Sequence, residues 1–326
     1  MNDGTLFKIR NLTVAFETEE GAFHAVEKVS FDLNKGEIVG LVGESGCGKS
    51  VTALSLLRLI PMPPGRIVSG SALFQGEDLL QAPSSRLRDI RGRAISMIFQ
   101  EPMAALSPLH RIGDQLVEAL RFHQNISKKT AEAIALGWLR KVNIPGAEQR
   151  MNAYPFELSG GMQQRVMIAM ALMMQPDLVI ADEPTTALDV TVQAQIFELI
   201  REMRRRDTTI LLITHDMGVV WEMCDRILVM YAGRLAEEGR PRDIFSNPLH
   251  PYTQGLLRSM PRLDVRRRRL PAIAGSVPSP GDCSAGCRFR DRCPKALDRC
   301  ALEQPGMEVL ADGRRAACFR AREYLK

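Results

Sequence analysis

Gly43-Glu44-Ser45-Gly46-Cys47-Gly48-Lys49-Ser50 has the order G-x-x-x-x-G-K-S, and those residue types at that spacing bind the phosphates of a nucleoside triphosphate. Gly43, Gly46 and Gly48 let the backbone turn so that successive N–H groups face the same anion. Lys49 is placed to reach the outer phosphates, and the Ser50 hydroxyl to ligate Mg²⁺. The chemistry needs a strand before the loop and a helix after it, because a helix N-terminus carries partial positive charge. Glu37 to Val42 reads as a buried strand, and Val51 to Ile60 as an apolar helix.

Two further groups point to the same ligand. Leu178-Val179-Ile180-Ala181-Asp182-Glu183 is an apolar strand ending in two carboxylates. In phosphate-loop enzymes the first acid of such a pair holds Mg²⁺ and the next can act as general base on the attacking water. In Leu158-Ser159-Gly160-Gly161-Met162-Gln163-Gln164-Arg165, Ser159 is a natural N-cap and the two glycines expose backbone N–H groups, which makes a second anion-binding helix start. One nucleotide rarely needs two such cradles from one chain.

The elements around these motifs alternate. Ala94 to Phe99, Leu178 to Ala181, Thr209 to Ile213 and Ile227 to Tyr231 read as buried strands, so the first 235 residues or so form an α/β region. Between Pro102 and Met174 strand signals stop and helical stretches such as Thr130 to Val142 take over, which predicts a helical subdomain at about 102–174. Val192, Ile196, Leu199, Ile200 and Met203 repeat at helical spacing and are assigned to core. Past Gly239 the chain turns rich in proline and arginine, so the organisation predicted is a nucleotide-binding domain over 1–239 and a small loop-rich extension over 240–326.

At 326 residues, 45% hydrophobic and 25% charged, the chain has the composition of a globular protein of about two domains. No window is apolar enough to span a membrane, and the N-terminus lacks a signal-peptide pattern, which predicts a cytoplasmic protein. The net charge of +5 is concentrated in Arg204-Arg205-Arg206 and Arg266-Arg267-Arg268-Arg269; these are assigned to a solvated helix end and a solvated linker, not to nucleic acid.

The motif L-S-G-G-x-Q-Q-R, lying between the phosphate loop and the strand ending in Asp182 and Glu183, resembles the signature of ATP-binding-cassette (ABC) ATPases. The resemblance implies a phosphate-loop ABC ATPase core that binds ATP and Mg²⁺ and hydrolyses ATP. Ser159, Gly160, Gly161 and Gln163 would then close over the γ-phosphate held by a second subunit, in a head-to-tail dimer. Gln100 matches the glutamine loop that senses Mg²⁺ and meets the membrane partner, Asp189 in Thr186-Ala187-Leu188-Asp189 the loop coupling the two sites, and His215 the switch histidine on the γ-phosphate. Glu183 takes the general-base role and Asp182 a Mg²⁺ role. Gly43 to Ser50, with Val51 at the start of the helix, hold the nucleotide. Phe16 is the candidate for stacking on adenine, with Phe23 competing.

Asn247 to Gln254, followed by Leu256-Leu257, resembles the extension that marks the peptide and nickel branch of ABC importers. Gly286-Cys287-Arg288-Phe289-Arg290-Asp291-Arg292-Cys293-Pro294 is similar to a tail found in ATPase subunits of dipeptide and oligopeptide importers. Of the seven cysteines, Cys47 and Cys224 are scattered and five lie in the tail. Taken as residues, Cys287, Cys293, Cys300 and Cys318 supply four thiolates suited to tetrahedral Zn²⁺ or an iron–sulfur cluster. The family resemblance implies a [4Fe–4S] cluster, with Cys283 spare. It also implies a non-identical sibling ATPase, two membrane permeases and an extracytoplasmic substrate-binding protein as partners, a peripheral position on the cytoplasmic face of the inner membrane, and no role for nucleic acid. The rival cargoes are nickel, glutathione and antimicrobial peptides, and the rival class is a soluble ABC ATPase acting on nucleic acid or the ribosome.

Overall fold

The computed structural model describes residues 4–19, 21–185, 190–203, 205–260, 272–279, 281 and 285–325. Asp189 with Thr186 to Leu188, Arg204, Arg266 to Arg269 and Cys283, all named above, lie outside the described residues. The chain divides into two compact units, residues 1–81 with 213–326, and residues 82–212.

The first unit begins with two long strands, β1 (Thr5–Thr18) and β2 (Gly21–Asn34), then β3 (Ile38–Val42), α1 (Lys49–Leu56), β4 (Gly65–Phe74) and β5 (Glu77–Asp78). Strands β2, β1, β4 and β5 form an antiparallel sheet in that order, an element absent from the expectations above. Register shifts at Ile9/Leu12, Leu12/Val14 and Val14/Ala15 break the alternation of β1, so no clean period of two survives in the sequence. β3 is buried along its whole length and pairs in parallel with a later strand, as an uninterrupted apolar run requires.

α1 is displaced from the expected span of Val51 to Ile60. It starts two residues earlier, at Lys49, and ends at Leu56. Arg58 turns to φ +50, so that Leu59 N–H donates to Leu54 C=O at 2.8 Å and Arg58 N–H to Ser55 C=O at 3.0 Å. That is a Schellman closure with arginine where glycine is usual.

The second unit holds α2 (Ser84–Ile90), β6 (Ile95–Ile98), α3 (Ile112–His123), α4 (Lys128–Lys141), α5 (Ala147–Arg150), α6 (Gly160–Leu172), β7 (Leu178–Asp182), α7 (Val190–Met203) and β8 (Thr209–Ile213). Between Pro102 and Met174 the described residues form helices and no strand. β6 and β7 are parallel, with Ile98 opposite Ala181, and β8 lies on the other side of β7. On α7, Ile196, Leu199 and Ile200 are buried, as their spacing predicts.

The first unit resumes with α8 (Met217–Met223), β9 (Arg226–Tyr231), β10 (Arg234–Gly239), α9 (Pro241–Ser246), α10 (Pro251–Arg258), α11 (Arg299–Leu302), β11 (Glu308–Val309) and β12 (Arg315–Ala316). The tail is knitted into the sheet: β12 pairs with β10, placing Ala316 opposite Glu237. Strands of two residues are too short to leave a sequence signal.

His250 locks the start of α10. It is fully buried; its Nδ1 accepts from Tyr252 N–H at 3.0 Å, and the ring also bonds the backbone of Ala317. Burial pulls its pKa down from 6.5 to about 4, so the ring is neutral in the folded protein. Between those values the unfolded chain binds a proton that the folded chain refuses, so stability is fully present above pH 6.5 and falls as pH drops toward 4. The loss expected is about 3 kcal/mol. Thermal melts of the wild type across that interval should show the steeper pH dependence, and those of His250→Asn a shallower one from a lower starting point.

Candidate functional site

The phosphate loop follows β3 and runs into α1 through Gly48, the N-cap, at φ +103. Gly43 passes so close to β9 that a Cβ there would lie 2.2 Å from Met230 O and 2.8 Å from Cys47 Sγ. A Cβ on Gly48 would stand 2.6 Å from Ala25 O, whereas Gly46, at φ +77, has nothing within 4 Å. The first two glycines therefore answer packing as well as conformation, and the third answers conformation alone.

Within this cradle Lys49 is buried, and its ammonium donates to the carbonyl oxygens of Gly43 at 2.9 Å and Glu44 at 3.1 Å, held across the loop. Ser45 and Gly46 form the exposed tip. Cys47 is fully buried; burial raises its thiol pKa, and its carbonyl accepts from Gly233 N–H at 2.8 Å. Its side chain fills the underside of the loop, a packing role that the letter x in the motif conceals.

His215 belongs to the same unit. Thr214 N–H donates to Leu41 O of β3 at 3.4 Å, which brings the residue before His215 alongside the strand that feeds the loop. Asp216 caps α8 through Gly218 N–H at 2.8 Å and Val219 N–H at 3.3 Å, leaving His215 exposed between the two anchors. Phe16 and Phe23 are cross-strand partners whose rings stack at 6.0 Å between centroids and 24° between planes. The two competing aromatics thus form one half-buried surface.

In the second unit, β7 ends with Asp182, which is 5% exposed, and the chain then turns at Glu183 with φ +45. A carboxylate residue in the left-handed region is uncommon and marks a position held by its surroundings. Gln100 is exposed just beyond β6, and its Nε2 donates to Glu183 Oε2 at 3.4 Å, so the glutamine and the candidate base meet. Gln164 is buried and donates to Pro184 O, fixing the turn after Glu183.

Ser159 caps α6, its Oγ accepting from Met162 N–H at 3.4 Å. Gln163 reaches back to Pro155 O at 2.9 Å and Leu158 O at 3.2 Å, and so supports the approach to the helix. Ser159 and Gly160 are exposed, and a Cβ on Gly160 would meet nothing within 4 Å. Among the described residues, no contact requires glycine there. Of the nucleotide motifs, Thr186 to Asp189 lies outside the described residues.

The four tail cysteines are half-buried, and each of Cys287, Cys293 and Cys318 has its thiol pKa raised by burial, with neighbouring cysteines adding to the effect. Cys318 is pushed up to about 11 and senses all three others. Among the described residues, no group of three or more His, Cys, Asp or Glu side chains is arranged to hold a metal ion.

The glycines of the loop separate two costs. Gly46→Ala should lower stability by about 1–2 kcal/mol through its left-handed backbone alone. Gly43→Ala meets a backbone oxygen that no rotamer change can relieve, and should cost about 3 kcal/mol or more while abolishing nucleotide binding. Denaturant melts and equilibrium binding of ATP distinguish the two.

The ABC transporter family matches residues 26–186, and the oligopeptide/dipeptide transporter C-terminal region matches residues 236–300. The chain is 49% identical to the oligopeptide transport ATP-binding protein AppD of Bacillus subtilis, over 97% of this chain and 96% of that one. It is 45% identical to the dipeptide transport ATP-binding protein DppD of Escherichia coli, over 96% of each. Among solved structures it resembles an ATP-binding cassette determined as a dimer in a post-hydrolysis state with ADP and Pi, at a TM-score of 0.65 and 28% identity over 72% of this chain and 99% of that one. A phosphate loop packed on β9, a carboxylate pair closing β7 and likeness along nearly the whole chain have one explanation: the protein belongs to the ABC transporter family, as an ATP-hydrolysing subunit.

Proposed function

We propose that this ATPase powers the import of dipeptides or oligopeptides through two membrane permeases, fed by an extracytoplasmic substrate-binding protein and paired with a sibling ATPase at the cytoplasmic face of the inner membrane. The cargo reading is supported by relatives named for oligopeptide and dipeptide transport and by the matching C-terminal region. Among the described residues no helix is long and apolar enough to cross a membrane, so the membrane-spanning path is assigned to partner chains. Residues 1–239 are taken as the nucleotide-binding domain, with the helical subdomain at about 102–174, and residues 240–326 as the extension.

In the mechanism assigned here, amides of the loop from Gly43 to Ser50, other than that of Glu44, and the Lys49 ammonium hold the phosphates, Val51 continues the helix behind them, and the aromatic surface of Phe16 receives the adenine. Ser50, Gln100 and Asp182 offer a hydroxyl, an amide oxygen and a carboxylate, an all-oxygen set that suits Mg²⁺. Mg²⁺, when bound, neutralises phosphate charge. Glu183 takes a proton from the attacking water, and His215 holds the γ-phosphate. Ser159, Gly160, Gly161 and Gln163 face the nucleotide of the second ATPase, a role that gives the exposed, sterically unforced Gly160 a reason to be small. Asp189 couples the two sites.

The observation that carries the hydrolytic assignment is the left-handed Glu183 with the Gln100 amide on its carboxylate. In transporter reconstituted with its permeases, the wild type should hydrolyse ATP and accumulate labelled dipeptide. Glu183→Gln should bind ATP normally and lose at least about 100-fold in turnover. Unchanged turnover would remove Glu183 from the role, and uptake of nickel or glutathione in place of peptides would reassign the cargo.

For the tail we infer a [4Fe–4S] cluster on Cys287, Cys293, Cys300 and Cys318. The reading is supported by the four thiolates that the tail supplies and by the resemblance of Gly286 to Pro294 to the tails of dipeptide and oligopeptide importer ATPases. The cluster would clip the loop-rich tail, since binding of such a group is folding free energy. Anaerobically purified protein should contain iron and acid-labile sulfide, both reduced in Cys318→Ser. One equivalent of zinc without iron would decide for the alternative.

A further inference from the structure

The tail does more than decorate the first unit. The Arg292 side chain is 6% exposed and forms a two-pronged ion pair with Glu44 of the phosphate loop, Nη1 to Oε2 at 2.7 Å and Nη2 to Oε1 at 3.0 Å. Its remaining donors are committed: Nε to Ala274 O at 2.9 Å, Nη2 to Ile273 O at 3.3 Å, and Nη1 to Tyr231 OH at 3.4 Å. The backbone of Glu44 is held from the same side, because its N–H donates to the hydroxyl of Tyr252, a fully buried residue of α10, at 2.9 Å.

A second grip lies four residues earlier. Arg288 donates to Ala232 O and to the Glu27 carboxylate, and the turn it holds contains Gly233, whose N–H donates to Cys47 O in the phosphate loop. Between the two arginines, Phe289 is buried against Tyr231, Tyr252 and His250, at 5.2, 5.5 and 5.8 Å between ring centroids. Cys287 and Cys293 bracket this span.

We propose that the segment from Cys287 to Cys293, together with Tyr252, positions the phosphate loop for nucleotide binding, with Arg292 and Tyr252 acting on Glu44 and Arg288 acting through the turn at Ala232-Gly233. The inference rests on the reading of Gly43 to Ser50 as the ATP phosphate cradle. Its logic is electrostatic as well as mechanical. Glu44 places a carboxylate in a loop built to receive a highly charged anion, where like charges repel across several ångströms. Arg292 neutralises that carboxylate and fixes it, and Tyr252 fixes the amide beside it. Arg292, Arg288 and Tyr252 are positioning residues, acting on ATP through the loop.

Equilibrium binding of fluorescently labelled ATP with Mg²⁺ to the full-length protein, with KM and kcat measured in parallel, tests the proposal. Arg292→Met should weaken ATP binding about tenfold and raise KM by a similar factor, with kcat changed less than threefold, since the interaction serves ground and transition states alike. Adding Glu44→Gln to Arg292→Met should recover most of the lost affinity, because the unpaired charge is gone. A purely structural arginine would lower the melting temperature without that rescue. Tyr252→Phe, which keeps the ring and removes only the acceptor, should weaken binding by a smaller factor and guards against a misfolded Arg292 variant. Lys49→Ala separates the two levels. If Lys49→Ala loses affinity while Arg292→Met and Tyr252→Phe bind like the wild type, the positioning role is overturned and the cradle stands. If Lys49→Ala also binds like the wild type, the cradle reading falls and the inference with it.

Discussion

The contact of Gly43 with Met230 O is the constraint on which the phosphate site rests. A strand carbonyl occupies the place where a side chain would begin, so the loop lies directly on β9 with no spacer. Interiors packed at crystal density transmit small displacements instead of absorbing them. Whatever shifts β9 or the turn after it shifts the loop. β9 is held by its parallel pairing with β3 on one side and by β10 on the other. β10 in turn carries β12 from the tail, and Glu237 of β10 accepts from Leu249 N–H at 2.7 Å and His250 N–H at 2.9 Å. The extension is thus built into the support of the site.

Charge is arranged around the same support. Arg226, at the start of β9, pairs with Glu37 at 2.7 Å and with Glu238 of β10 at 2.5 Å, and Arg315 of β12 reaches the other oxygen of Glu238 at 2.9 Å. These partners are mostly buried, and removing one member of such a set leaves an uncompensated charge. The ion pairs link Glu37, β9, β10 and β12 into one charged network. Glu44 with Arg292 extends the pattern to the phosphate loop, where the ordering of a charge matters more than the energy of the pair.

Legibility in the sequence followed the range of the interaction. Gly43 to Ser50, Asp182, Glu183 and Ser159 were readable because each motif is local: a loop between a strand and a helix, two acids at a strand end, a cap at a helix start. The Schellman turn at Arg58 was not, because its left-handed residue is arginine and the usual signal is glycine. β1 is illegible because bulges scramble its alternation, whereas Val29, Phe31 and Leu33 of β2 do alternate with Ser30, Asp32 and Asn34 and carry a strand signal. Glu44 and Cys47 occupy variable letters of a motif, and their partners Arg292 and Gly233 lie far along the chain. No pattern of spacing announces a contact across 248 residues.

An ATPase that works in a membrane assembly needs its phosphate loop to be rigid when the rest of the subunit moves. Glycine gives the loop its shape and also its freedom, since such residues lose the most backbone entropy on ordering. Lys49 restrains the loop from inside, through the carbonyls of Gly43 and Glu44, but that ammonium is also the group assigned to the outer phosphates. Restraint that survives a change of partner at Lys49 has to come from outside the cradle. The extension supplies it at Glu44, through Arg292 and Tyr252, and at Cys47, through the turn at Gly233. Both contacts grip the loop through the Glu44 carboxylate and amide and the Cys47 carbonyl, and leave the side chains of Lys49, Glu183 and His215 untouched.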